Sequence, residues 1–399
     1  MKIKLKKFKD LISKEGVFSD GNWIESKDQN PDGSVRLIQL ADIGVGKFID
    51  KSNRFMTEER ANDLNCTYLV EGDILVARMP DPIGRACIFP QVQQKCVTVV
   101  DICIIRPASD QIDTRWLMHL INSKHFNNQV LQYVTGTTRQ RISRGNLAKL
   151  DVEVPPLDEQ KRIAAILDKA DAIRRKRQQA IKLADDFLRS VFLDMFGDPV
   201  TNPKGWELKP LAFLCRKITD GTHHSPPIVE KGVPYVTAKH LKKTGLEFHA
   251  KPWYVSEEEH KKIFSRCNPE KDDVLYIKDG ATTGLAAINE YDFEFSMLSS
   301  LALLKPNFEL VNSEFLCMFL NHPRTKLVLT ANMAGAAITR LTLAKIKDVQ
   351  VPLPDINTQE KFKEVYLSVR ALSNKVKASD GLSEQEFNSL SQKAFAGEL

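Results

Sequence analysis

The sequence predicts an α+β chain organised as a tandem repeat: two mixed α/β globular domains, separated by two long helices packed as an antiparallel coiled coil. Three observations predict it. First, the 399-residue chain repeats itself at an offset of 199. Pro107 lies over Pro306, Asn122 over Asn321, Gly136 over Gly335, Pro155 over Pro354 and Gln160 over Gln359. Nearer the N-terminus the offset is 200, with Asp20-Gly21 over Asp220-Gly221, Asp73 over Asp273 and Gly84 over Gly284. Second, each repeat changes character partway, from short apolar runs broken by Gly, Pro, Asn and Asp to a long segment with apolar residues every three or four positions. Third, the length suits two cores rather than one.

The elements follow in order. The first globular part, 1–154, carries strand-like runs at Val35–Leu40, Asp73–Ala77 and Thr98–Ile105, and a helix around Thr114–Ser123. At Val152-Glu153-Val154-Pro155-Pro156 a proline hinge favours an extended residue before it and a helix start after it. The helical part, 155–197, then opens near Asp158. A helix from there to about Met195 is roughly 57 Å long. Ile166, Ala170, Ile173, Arg177, Ala180, Ala184, Phe187 and Val191 step by four and three, a heptad seam that asks for a partner helix. Packing of each helix on its own globular part is the alternative. Asp198–Gly205 is a turn-rich linker.

The second globular part, 198–353, repeats the pattern with runs at Pro234–Thr237, Asp273–Ile277 and Ser300–Leu304 and a helix around Ser313–Asn321. A second hinge, Val351-Pro352-Leu353-Pro354, leads into 354–399. There Phe362, Val365, Val369, Leu372 and Val376 form the matching seam, and Asp380-Gly381 interrupts it before a last helix ending in Phe395. Two similar modules suit a target with two similar halves, and symmetric DNA is the commonest such target.

Composition narrows the class. Lys and Arg number 57 against 51 Asp and Glu, a mild basic excess that permits a nucleic-acid partner without requiring one. No apolar run is long enough for a transmembrane helix, and the basic start Met1–Lys7 has no apolar stretch behind it, so neither a membrane nor a secretory signal is expected. Seven cysteines with no Cys-x-x-Cys pair, four of them (Cys66, Cys87, Cys96, Cys103) among apolar residues, suit free buried thiols in a reducing cytoplasm.

Catalytic signatures are missing. The chain has no Gly-x-x-x-x-Gly-Lys-Ser/Thr phosphate loop and no Asn/Asp-Pro-Pro-Tyr/Phe motif, and Gly44-Val45-Gly46 lacks the third glycine of a dinucleotide loop. Glu360-Lys361-Phe362-Lys363 sits on a helix rather than in a nuclease core. His223, His224, His240, His249, His260 and Cys267 fit no structural zinc spacing, so no metal and no cofactor is expected. Asp220-Gly221 is expected to make a tight turn presenting the residues after it.

Several stretches carry a family likeness. Pro155-Pro156-Leu157-Asp158-Glu159-Gln160-Lys161-Arg162-Ile163, Phe192–Pro199, Thr219-Asp220-Gly221-Thr222-His223-His224-Ser225-Pro226 and Ser389–Leu399 stand in matching order in both halves. Over nearly its whole length the chain resembles a type I restriction-modification specificity subunit. It departs from its own repeat in having Asn22-Trp23 where the second half has Thr222-His223, and Asn357-Thr358-Gln359 where the first has Asp158-Glu159-Gln160. The resemblance implies a non-catalytic subunit. Its globular parts would be target-recognition domains, each reading one half of a bipartite site in double-stranded DNA. Its helices would set the spacing between halves and dock two methyltransferase (modification) subunits. Restriction subunits, the ATP-dependent translocase and nuclease, would join that complex. The expected location is cytoplasmic. A duplicated scaffold that joins proteins without touching DNA, or the recognition subunit of another DNA-modifying system, are the alternatives.

Candidate DNA contacts are basic and amide residues in turns, because Arg and Gln read base edges bidentately while hydroxyls and further cations hold phosphates. Thr137–Arg144 packs three arginines, a glutamine and three hydroxyls into eight positions, of which Arg139, Gln140, Arg141 and Arg144 are the candidates. Arg78 and Arg85 flank Pro80-Asp81-Pro82. In the second half the candidates are His223, His224, Lys239, Lys242, Lys278, Thr282 and Arg340, the last in Ala336–Arg340, the far less basic counterpart of the arginine loop. Ile166, Ile173, Phe187, Val191, Val365, Val369 and Leu372 are the candidates for the helix seam and partner docking. Arg174-Arg175-Lys176-Arg177 is a basic run that suits a solvated face, spacer phosphates or a partner.

Overall fold

A computed structural model describes residues 4–136, 139–331, 340–378 and 384–399. The chain forms two compact units, Met1–Arg177 with Asp380–Leu399, and Gln178–Ser379. The interruption at Asp380-Gly381, Gly335, Thr137-Thr138 and Ala336–Thr339 lie outside the described residues.

In the first unit a four-stranded sheet runs in the order Val17–Asp20, Ile102–Arg106, Ile74–Ala77, Ala86–Ile88, antiparallel throughout. Its central strands read as unbroken apolar runs because both faces are covered. Ile74, Val76, Cys103 and Ile105 point into a core with the helix Thr114–Asn122, whereas Leu75, Ala77, Ile102 and Ile104 point into a second core. A three-stranded sheet, Arg54–Met56, Val35–Ile38, Cys96–Thr98, adds a third small core. Strand Lys4–Lys7 pairs with Asp151–Val154, so the hinge strand is held by the start of its own domain.

The second unit repeats every one of these elements. Its sheet order is Cys215–Asp220, Leu301–Pro306, Val274–Ile277, Ala286–Ile288, and Val274, Tyr276, Ala302 and Leu304 face one core while Leu275, Ile277, Leu301 and Leu303 face the other. Strand Glu207–Pro210 pairs with Gln350–Leu353.

One helix of 40 residues runs from Leu157 to Phe196, and another from Ile356 to Ala378. Each unit contains an antiparallel helix pair made from the start of one helical region and the end of the other. In the first, Arg162 donates to the Leu399 carbonyl at 3.1 Å and Arg174 stacks over Phe387 at 5.2 Å. In the second, Asp185 pairs with Arg370 at 3.0 Å and Phe192 meets Phe362 edge-on at 5.7 Å.

Ala170 and Phe362 of the expected seam are buried, and its other members need correction. The buried stripe is Ile163, Leu167 and Ala170 in the first unit and Leu188, Phe192 and Phe196 in the second. Ile173, Phe187 and Leu372 are 36%, 53% and 60% exposed. Ile166 is half-buried, and Val191, Val365 and Val369 pack at the margin of the second core. The domain cores offer apolar surface beyond a bare two-helix seam, so the start of the Leu157–Phe196 helix turns its stripe into the core of the first unit and its end turns Leu188, Phe192 and Phe196 into the core of the second.

Candidate nucleic-acid interface

In both units the same strand end collects the charged groups. The edge strand of the first sheet ends at Asp20, beside the residue that follows the central strand, Arg78. Arg78 is 4% exposed and donates to Asp20 Oδ2 at 2.9 Å and to the Val100 carbonyl at 2.9 Å. Its own carbonyl accepts from Ile142 N–H at 3.0 Å, which draws the arginine loop onto the strand end. There Arg141 pairs with Asp101, and Arg144 donates to the Phe18 carbonyl at 2.9 Å. Burial pushes the Asp20 carboxyl above its usual range, against the pull of the surrounding Arg78, Arg144 and Arg141 guanidiniums. Arg139 and Gln140 are exposed.

The second unit rebuilds this with other residues. Lys278, 3% exposed, lies 3.5 Å from Asp220 and 3.1 Å from Asp279. Leu341 N–H donates to the Lys278 carbonyl at 2.8 Å, as Ile142 does to Arg78. Arg340 is 3.3 Å from Asp279, Arg266 donates to Asp220 Oδ1 at 2.7 Å, and His223 is 3.4 Å from Asp220 Oδ2. His224 is tied instead to Glu259 at 2.9 Å and Thr222 at 2.6 Å. Lys242 and Thr282 are exposed, and Lys239 stacks over Trp253 at 4.6 Å.

Three expected DNA contacts are therefore interior. Arg78 and Lys278 are the buried counter-ions of Asp20 and Asp220. Arg85, also buried, spends its guanidinium on the carbonyls of Ile43, Met79, Pro82 and Leu40 at 2.7–3.0 Å. With four of its five N–H groups held by carbonyls and the side chain buried, this guanidinium is not presented to a base edge. Arg174 and Arg175 are likewise engaged with Asp171, and Arg175 with the Gly46 carbonyl.

The Asp-Gly pair also differs from expectation. Gly21 and Gly221 are glycines because the chain crosses a neighbouring strand there: a Cβ on Gly221 would sit 1.9 Å from the Met297 carbonyl oxygen, and one on Gly21 2.3 Å from that of Val99. The next residues then form parallel bridges, Asn22 to Val99 and Thr222 to Leu298. The residue after each bridge is thrown outward. In the first unit it is Trp23, 68% exposed, on the lip of a hollow of about 390 Å³ whose wall includes Ile24, Gln39, Leu40 and Asp101. In the second it is His223.

Trp23 and Arg266 are the residues that sequence reasoning passed over as contacts. Trp23 carried a signal, since it breaks the internal repeat at the Asp-Gly motif. Arg266 carried none, because its place depends on a helix, Glu257–Phe264, that delivers it to Asp220 from 46 positions away. Among the described residues no group of three or more His, Cys, Asp or Glu side chains has the geometry to hold a metal ion.

A family model described as the type I restriction modification DNA specificity domain matches residues 2–183 and 203–366. Two chains of Methanocaldococcus jannaschii are similar. One, provisionally named the MjaX type I restriction enzyme specificity subunit, is 22% identical over 390 residues, 91% of this chain and 84% of that one. The other, the MjaIX type I restriction enzyme specificity subunit, is 22% identical over 333 residues, 79% of this chain and 74% of that one. The crystal structure of a type I restriction-modification system S subunit from M. genitalium superposes with a TM-score of 0.59 at 14% identity, over 99% of this chain and 94% of that one.

Proposed function

The chain belongs to the type I restriction modification DNA specificity family, carrying its domain twice, and on that premise we propose that each copy reads one half of a bipartite site in double-stranded DNA. The observation that carries this reading is the repeated strand-end constellation. Asp20, Arg78 and Arg141 form it in one unit, and Asp220, Lys278 and Arg340 in the other. The aspartate with its buried cation is a common frame, whereas the outward residues differ: Trp23, Arg139 and Gln140 against His223, Arg266 and Arg340. A shared frame with different readers suits two unlike half-sites in one target.

The chain acts as a recognition subunit in the cytoplasm and performs no chemistry itself. Two methyltransferase subunits dock on the helical regions, and restriction subunits join them. The uninterrupted helix Leu157–Phe196 links the two copies and sets the half-site spacing. No described helix is long and apolar enough to cross a membrane.

Single-molecule adenine-methylation sequencing of a host with active methyltransferase subunits, with and without this gene, tests the reading. Loss of methylation at one split, asymmetric motif on deletion is the expected result. An unchanged methylation pattern rejects it.

A further inference from the structure

One cavity of the second unit has no part in the strand-end constellation. It encloses about 280 Å³, and Arg189, Lys243, Lys326, Arg370 and His322 line it against a single carboxylate, Asp185. Asp185 is already matched by Arg370 at 3.0 Å. Arg189 leans on Asp186 at 3.3 Å. Lys243 and Lys326 have no ion-pair partner among the described residues. Cations gathered with too few carboxylates repel one another, and a multivalent oxyanion relieves that repulsion.

The cavity is also shaped. The stem of Lys326 lies over Gly284, whose φ of +89° and missing side chain leave it room: a Cβ there would sit 3.0 Å from the lysine Cγ. Nδ1 of His322 accepts from Arg324 N–H at 3.4 Å, so a neutral ring carries its proton on Nε2. Burial keeps that ring neutral by lowering its pKa.

The first unit has the same fold with its cations matched by a carboxylate and a carbonyl. Asp171 stands 199 positions before Arg370 and is held by Arg174 and Arg175. Asn127 stands 199 positions before Lys326 and donates to the Ile83 carbonyl at 2.8 Å. The first unit packs with Asn127 in the place of Lys326, so packing alone does not account for the uncompensated lysine of the second.

We propose that this cavity is a phosphate-binding site, taking one phosphate group between Arg370, Lys243 and Lys326. A phosphodiester of bound duplex and the phosphates of a free nucleotide present the same chemistry. The duplex source rests on the DNA-reading function above, and the free source does not.

The test uses the full chain and a double variant, Lys243→Met with Lys326→Met, which keeps the stem over Gly284 and removes two charges. Tripolyphosphate is titrated calorimetrically, and duplex carrying the host's methylated motif is bound at several salt concentrations. A free-phosphate site predicts tripolyphosphate binding that weakens about tenfold or more in the variant. A duplex site predicts that the slope of log K against log salt falls by about 1 to 2 with the motif unchanged. A variant matching the wild type in both titrations overturns the proposal. A wild-type chain that binds tripolyphosphate and no duplex overturns DNA reading and leaves this site standing.

Discussion

Gln160 and Gln359 make the same three hydrogen bonds in the two units. Gln160 Oε1 accepts from Asp113 N–H at 2.9 Å, and its Nε2 donates to the carbonyls of Gln111 at 3.0 Å and Pro155 at 2.9 Å. Gln359 Oε1 accepts from Asn312 N–H at 3.0 Å, and its Nε2 donates to Leu310 at 3.0 Å and Pro354 at 2.9 Å. A single buried amide thus ties the proline hinge, the loop before the domain helix and the first turn of the long helix. Only an amide offers one acceptor and two donors in that geometry. This side chain therefore anchors the first turn of each long helix to the hinge and to the domain before it.

Gln359→Glu therefore destabilises the second unit more than Gln359→Leu does. Leucine leaves one N–H and two carbonyls unpaired, at about 1–3 kcal/mol for such a buried loss. Glutamate also aims a carboxylate at two carbonyl oxygens in a fully buried site, at about 3 kcal/mol or more. Chemical denaturation reads both as shifted midpoints, and a Gln359→Glu chain with the wild-type midpoint contradicts the assignment.

Equivalent turns should respond to different pH. In the first unit Gln39 N–H donates to Asp42 Oδ2 at 2.7 Å. In the second, Thr237 N–H donates to His240 Nδ1 at 2.9 Å, and His240 Nε2 donates to the Lys251 carbonyl at 3.0 Å. Burial lowers the His240 pKa below 6.5. Its stabilising effect is complete above the unfolded value of 6.5 and is lost as pH falls through the lower folded value. Burial pushes the Asp42 pKa up, but hydrogen bonds from Ser52, Gln39 and Lys51 outweigh it and hold the group below 3.8. Its effect is lost only as pH falls below that value. The stability difference between wild type and His240→Gln should shrink between pH 7.5 and 5.5, while that for Asp42→Asn stays constant. Denaturant midpoints at the two pH values decide it.

Much of this was legible in the sequence, for a physical reason. The positions that repeat at fixed offset are those whose polar side chains close backbone gaps. Asn122 and Asn321, for example, each exchange two hydrogen bonds with the backbone of Ala86 and Ala286 at 2.9 Å. The unbroken apolar strands were visible because both faces are buried. What was not legible depends on partners distant in sequence. A cation in a turn looks the same whether it meets solvent or, like Arg78, an aspartate 58 positions away. Nor can a 3.5-residue seam be told from a 3.6-residue stripe over five turns, which is why the buried helix face lay beside the expected one.

The arginine loop should divide by role. Arg139 is exposed, so Arg139→Ala lowers DNA affinity and the salt slope by about 1 while stability changes by less than about 0.5 kcal/mol. Arg141→Ala also frees Asp101 and costs stability, by about 1 kcal/mol for a half-exposed pair. Replacing Arg139, Arg141 and Arg144 together weakens DNA binding and leaves assembly with the methyltransferase intact. Normal binding by the triple variant removes the loop from the interface.

Trp23 separates the two half-sites most sharply. It is 68% exposed, and among the described residues its Nε1 reaches only Glu25, at 3.3 Å. Such a side chain adds little to the fold, so Trp23→Ala should change stability by less than about 0.5 kcal/mol. Beside the Arg141–Asp101 pair, an apolar ring suits contact with a thymine methyl in the major groove, which hydrogen-bonding His223 cannot supply in the second unit. Methylation sequencing of a host expressing Trp23→Ala should therefore find the first half of the motif relaxed and the second unchanged. The unchanged half reports that the variant is folded and assembled. Uracil in place of the contacted thymine should weaken the wild type about fivefold, from a lost contact of about 1 kcal/mol, and leave the variant unaffected. A Trp23→Ala complex that methylates the wild-type motif with unaltered stringency excludes the ring from readout.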